Sequence, residues 1–431
     1  MIVRDKLAQI TAHPKYGRAS HWAKAIAITG GAQVMVQATG LLTGILIIRL
    51  LTDREYAYYT LANTMLGTMT ILADGGISSG VMAQGGKVWN DKQKLGTVLA
   101  TGLYLRKRFA IGSLLVAVPA LVYMLWHHGA GPLSISLITL ALIPAFFAAL
   151  SDSLLEIPPK LHQDIKRLQK NQMLVSIGRL LLSVVSLFIF PFTYVAVLAY
   201  GIPRIWGNFR LRTIARRTAD IGTHPDREVR NEILRIVRRR MPESIYYCLS
   251  GQITIWLISL FGSTSSLASL GAIGRLGMVI FVFSVVFNTL FAPRFARLPD
   301  VRKVLSRFVS YVLIGSILLS LFIVAVSWLF SSQILWVLGR QYAGLKHELV
   351  LSMVGACLNL IMGYYFILTT SRGWVINPIL YIAISMASVL LSLLVVNPST
   401  LSGVLKFNII VPGIQSITLI LYSYYKIRKV D

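Results

Sequence analysis

Apolar runs of roughly 17 to 25 residues recur along almost the whole chain, each long enough to cross a hydrocarbon core of about 30 Å as an α-helix. The pattern predicts helices near 25–51, 59–83, 109–126, 133–155, 173–190, 192–209, 244–262, 267–292, 308–330, 347–370, 374–396 and 401–425. Very short turns join them on one side, among them Thr52–Tyr58, His127–Pro132, Ser263–Ser266 and Asn397–Thr400. The connections on the other side are longer and basic. No stretch is left over for a sizeable soluble domain. The expected fold is therefore an all-α polytopic membrane protein with about twelve transmembrane helices in two six-helix lobes around a central cavity. The N-terminal lobe, with a cytoplasmic N-terminal segment, is expected over 1–209, a basic cytoplasmic linker over 210–243 and the C-terminal lobe over 244–431. The first apolar run follows about 24 mostly polar residues and has full spanning length, which reads as a retained helix and not as a cleavable signal.

Composition agrees. Apolar residues fill 55% of the 431 positions and charged residues 13%, which would leave a soluble globule short of polar surface. The net charge of +26 raises nucleic acid as a partner, and the placement of the charges answers it. With helices drawn from hydropathy alone, 34 of the 42 Lys and Arg fall on one side and three, Arg54, Arg340 and Lys346, on the other. Positive residues collect in cytoplasmic loops. The tally thus orients the chain with both termini in the cytoplasm, and nucleic acid is not expected.

Two readings of the 210–243 loop stay open. Val229, Ile233, Ile236 and Val237 recur at helical spacing among six arginines, which suits a basic amphipathic helix lying on anionic headgroups; the same charges also suit a plain topology signal. Cys248 and Cys357 fall inside apolar runs and read as small buried hydrophobes.

An ionisable side chain inside hydrocarbon is costly unless it faces a partner, a bundle interior or water, so each one is a functional candidate. Five cations lie within or at the edge of the spans: Arg49, Arg179, Arg204, Arg275 and Lys406. Ser176, Arg179, Ser183 and Ser186 share one helical face, which should line a polar cavity. Arg275 is too deep for easy snorkelling, whereas Arg49, Arg204 and Lys406 lie nearer helix ends. Asp74 is the acid well inside a span, on a polar face with Thr60, Asn63, Gly67, Thr70 and Ser78; it is a candidate for ion coupling or for an ion pair with an arginine. Asp152, Glu156 and Glu243 read as interfacial. Further polar stripes are Gln33, Gln37, Gly40 and Gly44 in the first helix and Ser352, Gly355, Asn359 and Gly363 in the tenth. His127 and His128 read as a solvated turn pair. No Walker loop, zinc-type histidine cluster or catalytic-sized loop occurs, so neither an enzyme nor a cofactor is expected. A cavity of arginines with one acid suits an anionic cargo, with phosphate the natural candidate and a lipid-linked pyrophosphate fitting well.

The segment Arg49-Leu-Leu-Thr-Asp-Arg-Glu-Tyr-Ala-Tyr-Tyr-Thr-Leu-Ala62, followed by Asp74-Gly-Gly-Ile-Ser-Ser-Gly80, resembles the first helical hairpin of Wzx-type polysaccharide flippases. These belong to the multidrug/oligosaccharidyl-lipid/polysaccharide exporter superfamily. Leu270-Gly-Ala-Ile-Gly-Arg-Leu-Gly277, running on to Ala292-Pro-Arg-Phe-Ala-Arg-Leu298, is similar to that family's seventh and eighth helices. The resemblance implies alternating access that moves an undecaprenyl-pyrophosphate-linked oligosaccharide between leaflets for exopolysaccharide or O-antigen export. Arg49, Arg179 and Arg275 would contact pyrophosphate or acidic sugars. The expected partners are that lipid-linked oligosaccharide, membrane lipids and the polysaccharide polymerase and export machinery, with the chain itself a monomer. A drug or metabolite antiporter of the same superfamily, which would prefer acids in its cavity, and a membrane-embedded polysaccharide polymerase or ligase are the rival readings.

Overall fold

The computed structural model describes residues 31, 34–277, 279–284, 287, 291, 295, 298–372, 374 and 376–430, with the backbone alone at 239, 240, 242–244, 247–249 and 378. Gln33 and the side chains of Cys248 and Glu243, singled out above, lie outside the described residues. The N-terminal lobe holds α1 (Val34–Leu50), α2 (Asp53–Asp74), α3 (Ile77–Lys87), α4 (Lys92–His127), α5 (Pro132–Leu155), α6 (Ile157–Leu161), α7 (Ile165–Ile189) and α8 (Thr193–Ala215). The C-terminal lobe holds α9 (Arg227–Phe261), α10 (Thr264–Leu276), α11 (Arg302–Leu329), α12 (Ser331–Leu338), α13 (Lys346–Ser371), α14 (Pro378–Val395) and α15 (Leu401–Arg428). Among the described residues there is no strand.

Seven helices are long and apolar enough to cross a membrane: α4, α5, α7, α10 with its continuation to Ser284, α11, α13 and α15. Shorter apolar helices add Val34–Leu50, Ser250–Phe261 and Ile379–Val395, and α2 and α8 have spanning length at 22 and 23 residues. These follow the expected order of about twelve crossings. The apolar signal of α2 is diluted because it lies in the middle of the molecule, packed by α4, α5, α8, α9 and α10 and buried along most of its length. Its polar groups therefore meet protein or cavity instead of lipid.

Local chemistry sets the helix ends. Thr52 caps α2 by accepting from Glu55 N. The helix stops at Gly75 and Gly76, whose φ angles of 48° and 94° lie in the left-handed region that a glycine enters without strain. Asp74 then accepts from Ser78 N at 3.1 Å and Ser78 Oγ at 2.7 Å, tying the start of α3 back to the end of α2. Asp91 and Asp226 cap α4 and α9 in the same way as Thr52, each through two backbone amides.

The 210–243 stretch is more structured than a linker. It comprises the end of α8, a connection pinned to α4 by Asp220 N to Lys92 O at 2.9 Å and by Asp226 N to Thr101 Oγ1 at 3.0 Å, and the first half of α9. The apolar face predicted there exists, but Ile233 and Val237 are buried in a core cluster with α3, α4 and α6 instead of facing headgroups. Gly80 permits this contact: a Cβ there would come within 2.9 Å of Ile233 Cγ2. The arginines of α9 were legible as surface charge; the surface its apolar side covers was not.

A second difference concerns Arg106. The apolar run suggests a helix from 109, which assigns Arg106 to a basic loop, yet α4 begins at Lys92 and buries Arg106 at 2% exposure. At 36 residues, about 54 Å at 1.5 Å per residue, α4 extends well past the hydrocarbon core at the end of the molecule that carries the basic loops.

Candidate functional site

α1, α7 and α10 bring their cationic and smallest residues to one depth. Arg179 precedes the end of α7 at Ile189 by about 15 Å of helix, and Arg275 follows the start of α10 at Thr264 by a similar length, near the middle of a core about 30 Å thick. Both line a cavity of ≈ 240 Å³ with Gln37, Gly40, Gly44, Tyr59, Asn63, Ser183 and Tyr200. Polar faces predicted separately on α1, α2 and α7 thus converge on one space with Arg275.

The glycines of α1 make the room. A Cβ at Gly44 would lie 3.2 Å from Arg275 Cδ, and one at Gly40 would lie 3.7 Å from Arg179 Nη2. Aromatic rings support the guanidiniums: Arg179 Cζ is 4.7 Å from the Tyr200 ring centroid and Arg275 Cζ is 5.7 Å from that of Tyr59. Arg179 Nε and Ser183 Oγ are buried without a hydrogen-bond partner. Among the described residues, neither Arg179 nor Arg275 has a carboxylate within ion-pair distance. Buried cations without a counter-charge are costly. An anion entering the cavity would relieve that cost.

A neighbouring cavity of ≈ 330 Å³ shares Val36, Arg179 and Tyr200 with the first and runs toward the basic end past Asp152, Glu156 and Arg204. Its charges are already matched. Arg204 Nε donates to Asp152 Oδ2 at 2.8 Å, Asn208 Nδ2 donates to Asp152 Oδ1 at 2.7 Å, and Glu156 accepts from Lys160 at 2.6 Å and from Gln172 at 3.1 Å. Arg204 therefore lies on the route to the site and not among its unpaired cations.

The remaining candidates lie elsewhere. Arg49 is exposed at the end of α1, where it donates to the carbonyls of Trp336 at 2.6 Å and Val337 at 2.8 Å and covers the Trp336 ring. It fastens α1 to α12 and does not enter the cavity. Lys406 is exposed and lines a separate recess with Asn397 and Thr400. Asp74 pairs with Arg106, which also donates to Leu150 O, Ser153 Oγ and Ser78 Oγ. That network is structural and faces α5, so the carboxylate does not neutralise the cavity arginines.

The histidine turn departs from the solvated reading. His128 is buried, with Nδ1 3.0 Å from Thr264 Oγ1 and Nε2 3.2 Å from Ser259 Oγ, both across the lobe boundary. Arg54 donates to Gly129 O and to Tyr58 OH, and Tyr58 OH donates to His128 O at 3.2 Å. Gly271 is likewise closed onto Thr60, where a Cβ would come within 2.4 Å of Oγ1, so that the His128 bonds and this contact join the two lobes at the short-turn end. Two adjacent histidines in a turn carry no signal of which one is buried.

The structure overlays along nearly its whole length on an inward-facing multidrug resistance MATE family transporter of the MOP superfamily, with a TM-score of 0.72, 15% identity and coverage of 92% of this chain and 95% of that one. The chain has the MATE fold. An outward-facing MATE family transporter matches at a TM-score of 0.64 and 15% identity over 95% and 96% of the two chains. A MOP superfamily transporter from Pyrococcus furiosus Vc1, described by the reverse polarity of its binding pocket as suggesting a different function, matches at 0.63 and 15% over 94% and 95%. No protein-family model matches the sequence, and no curated protein matches it either. The MATE fold has about twelve transmembrane helices in two lobes, and the chain is a multi-pass membrane protein.

Proposed function

We propose that this chain is a flippase of the bacterial inner membrane that carries an undecaprenyl-pyrophosphate-linked oligosaccharide between leaflets by alternating access. The observation that carries the reading is the mid-membrane cavity in which Arg179 and Arg275 lack carboxylate partners among the described residues. A pyrophosphate supplies the missing charge and several acceptor oxygens, while its polyprenyl tail stays in lipid. The same fold occurs with inward- and outward-facing arrangements and in a transporter described as having a pocket of reverse polarity. The fold therefore leaves the cargo to the cavity. An organic cation would meet two unpaired guanidiniums here, which disfavours the multidrug reading.

The test is translocation by the purified chain in proteoliposomes. Undecaprenyl pyrophosphate bearing a labelled oligosaccharide is expected to become accessible in the opposite leaflet, while tetraphenylphosphonium flux stays at the protein-free rate. Cation flux without movement of the lipid would establish the antiporter instead.

Alternating access gives the His128 contacts a pH dependence. Burial, with the neighbouring His127 adding to it, holds the His128 imidazole below its ordinary value of 6.5 while the lobes are closed, and separation of the lobes would return it to that value. As pH falls through 6.5, the open form takes up its proton first. Closure at this end therefore weakens progressively until the lowered value is reached. Spin-label distances across the short-turn end are expected to lengthen below pH 6.5 in the native chain and to lose that dependence in His128→Gln. An identical pH profile in the variant would remove His128 from the gate.

A further inference from the structure

The C-terminal lobe contains a second large cavity, ≈ 610 Å³, lined by α9, α10, α13, α14 and α15. Its chemistry is unlike that of the arginine cavity. Among its described lining residues there is no Asp, Glu, Lys, Arg or His; they include instead Thr254, Asn359 and Asn408, Gln415, and the rings of Phe366 and Phe407. A volume of that order is typical of a site for an organic ligand and far exceeds the space needed for side-chain packing defects.

The amides are set in complementary states. Asn408 Oδ1 accepts from Thr254 Oγ1 at 2.6 Å, so its amino group is the part left to donate. Asn359 Nδ2 donates to Gly355 O at 3.1 Å, so its carbonyl is the part left to accept. Gln415 is 8% exposed and its amide has no hydrogen-bond partner among the described residues. Buried amides are ordinarily satisfied, by protein, water or ligand. Alternating donors and acceptors beside aromatic faces match a ring that carries hydroxyls at its edge and C–H groups on its face.

The two cavities are neighbours across α10: Gly274 lines this one and Arg275 lines the cationic one. A Cβ at Gly274 would meet nothing within 4 Å, so among the described residues no side chain closes the space at that point. We propose that the C-terminal-lobe cavity binds uncharged glycosyl residues of the cargo while Arg179 and Arg275 hold its pyrophosphate, an inference that rests on the flippase reading above. Arg179 on α7 and Arg275 on α10 then hold the charged part of one molecule, and the cavity on the other side of α10 holds its hydroxyls.

The experiment compares two probes on the full-length chain in nanodiscs: undecaprenyl pyrophosphate, and the lipid-linked oligosaccharide fraction extracted from membranes of the source cells. The native chain is expected to bind the glycosylated fraction about tenfold more tightly than undecaprenyl pyrophosphate, in keeping with one or two net hydrogen bonds. Gln415→Leu, and independently Asn359→Leu, should shrink that preference to within about twofold while leaving undecaprenyl pyrophosphate affinity unchanged, which also reports that each variant is folded. Equal affinities in the native chain, or an undiminished preference in both variants, would overturn the inference and leave the flippase reading standing. Failure of undecaprenyl pyrophosphate to bind the native chain would overturn the flippase reading itself, and this inference with it.

Discussion

Arg179→Gln combined with Arg275→Gln will abolish polysaccharide export while leaving the protein at normal abundance in the membrane. Hydrogen bonds from a guanidinium to an anion contribute about 1.5 to 3 kcal/mol each, so either single variant should weaken binding of a pyrophosphate roughly 10- to 100-fold. The pair should lose more than either, though less than the product, because both arginines reach the same cavity and share the anion. Glutamine keeps a neutral amino donor and removes the charge and the guanidinium fork, so charge-assisted bonding is the property tested. Abundance should hold because neither residue has an ion pair among the described residues to break, and removing a half-buried charge that lacks a counter-charge costs the fold little. The measurement is surface polysaccharide per unit of membrane-inserted protein in cells that carry each variant as the sole copy. Normal export in the double variant would remove the cationic cavity from the mechanism.

Arg106→Ala should do the reverse, lowering stability without altering cargo preference. Arg106 is 2% exposed and joins α2, α3 and α5 through Asp74, Ser78, Leu150 and Ser153. Truncating it leaves the Asp74 carboxylate without its counter-charge, at a cost of up to about 3 kcal/mol, below that of a fully buried pair because the Asp74 side chain keeps 28% exposure. Asp74 is held at the Gly75–Gly76 break, so the damage should spread to the start of α3 and the α9 segment packed on it. Thermal unfolding of the purified chain checks this: Arg106→Ala should melt well below the native protein, and Arg106→Ala with Asp74→Ala should recover part of the loss. Native-like melting of the single variant would show that the pair contributes nothing to stability. The contrast with the cavity arginines matters, since all three are intramembrane or interfacial cations and hydropathy alone does not separate them.

Why some of these roles were legible follows from the geometry of single helices. A 3.6-residue period places Arg179 with Ser183 on one face, and likewise Gly40 with Gly44, so each polar stripe could be read before any packing was known. That the stripes meet is contained in none of them alone; in the structure those of α1, α2 and α7 line one cavity. Arg49 misled because a cation near a helix end has the same sequence signature whether it faces a cavity or fastens to carbonyls; its bonds to Trp336 and Val337 join residues nearly 290 positions apart. Arg106 was hidden by its neighbours Lys107 and Arg108, which give a basic cluster the look of a loop although α4 runs straight through it. The burial of His128 depends on Ser259 and Thr264 arriving from the other lobe, a fact no local pattern contains. The C-terminal-lobe amides are the least legible of all, because Asn359 and Gln415 acquire meaning only when α13 and α15 enclose a space between them.

The central claim is that the cavity selects its cargo by negative charge. It is tested most directly by titrating the nanodisc-embedded chain with undecaprenyl pyrophosphate, undecaprenyl phosphate and undecaprenol, which share a tail and differ in charge. The expected result is an affinity order of pyrophosphate over phosphate over alcohol, with about a 100-fold span between the first and last that collapses in the Arg179→Gln, Arg275→Gln chain. Equal affinities for the three lipids in the native chain would contradict the account.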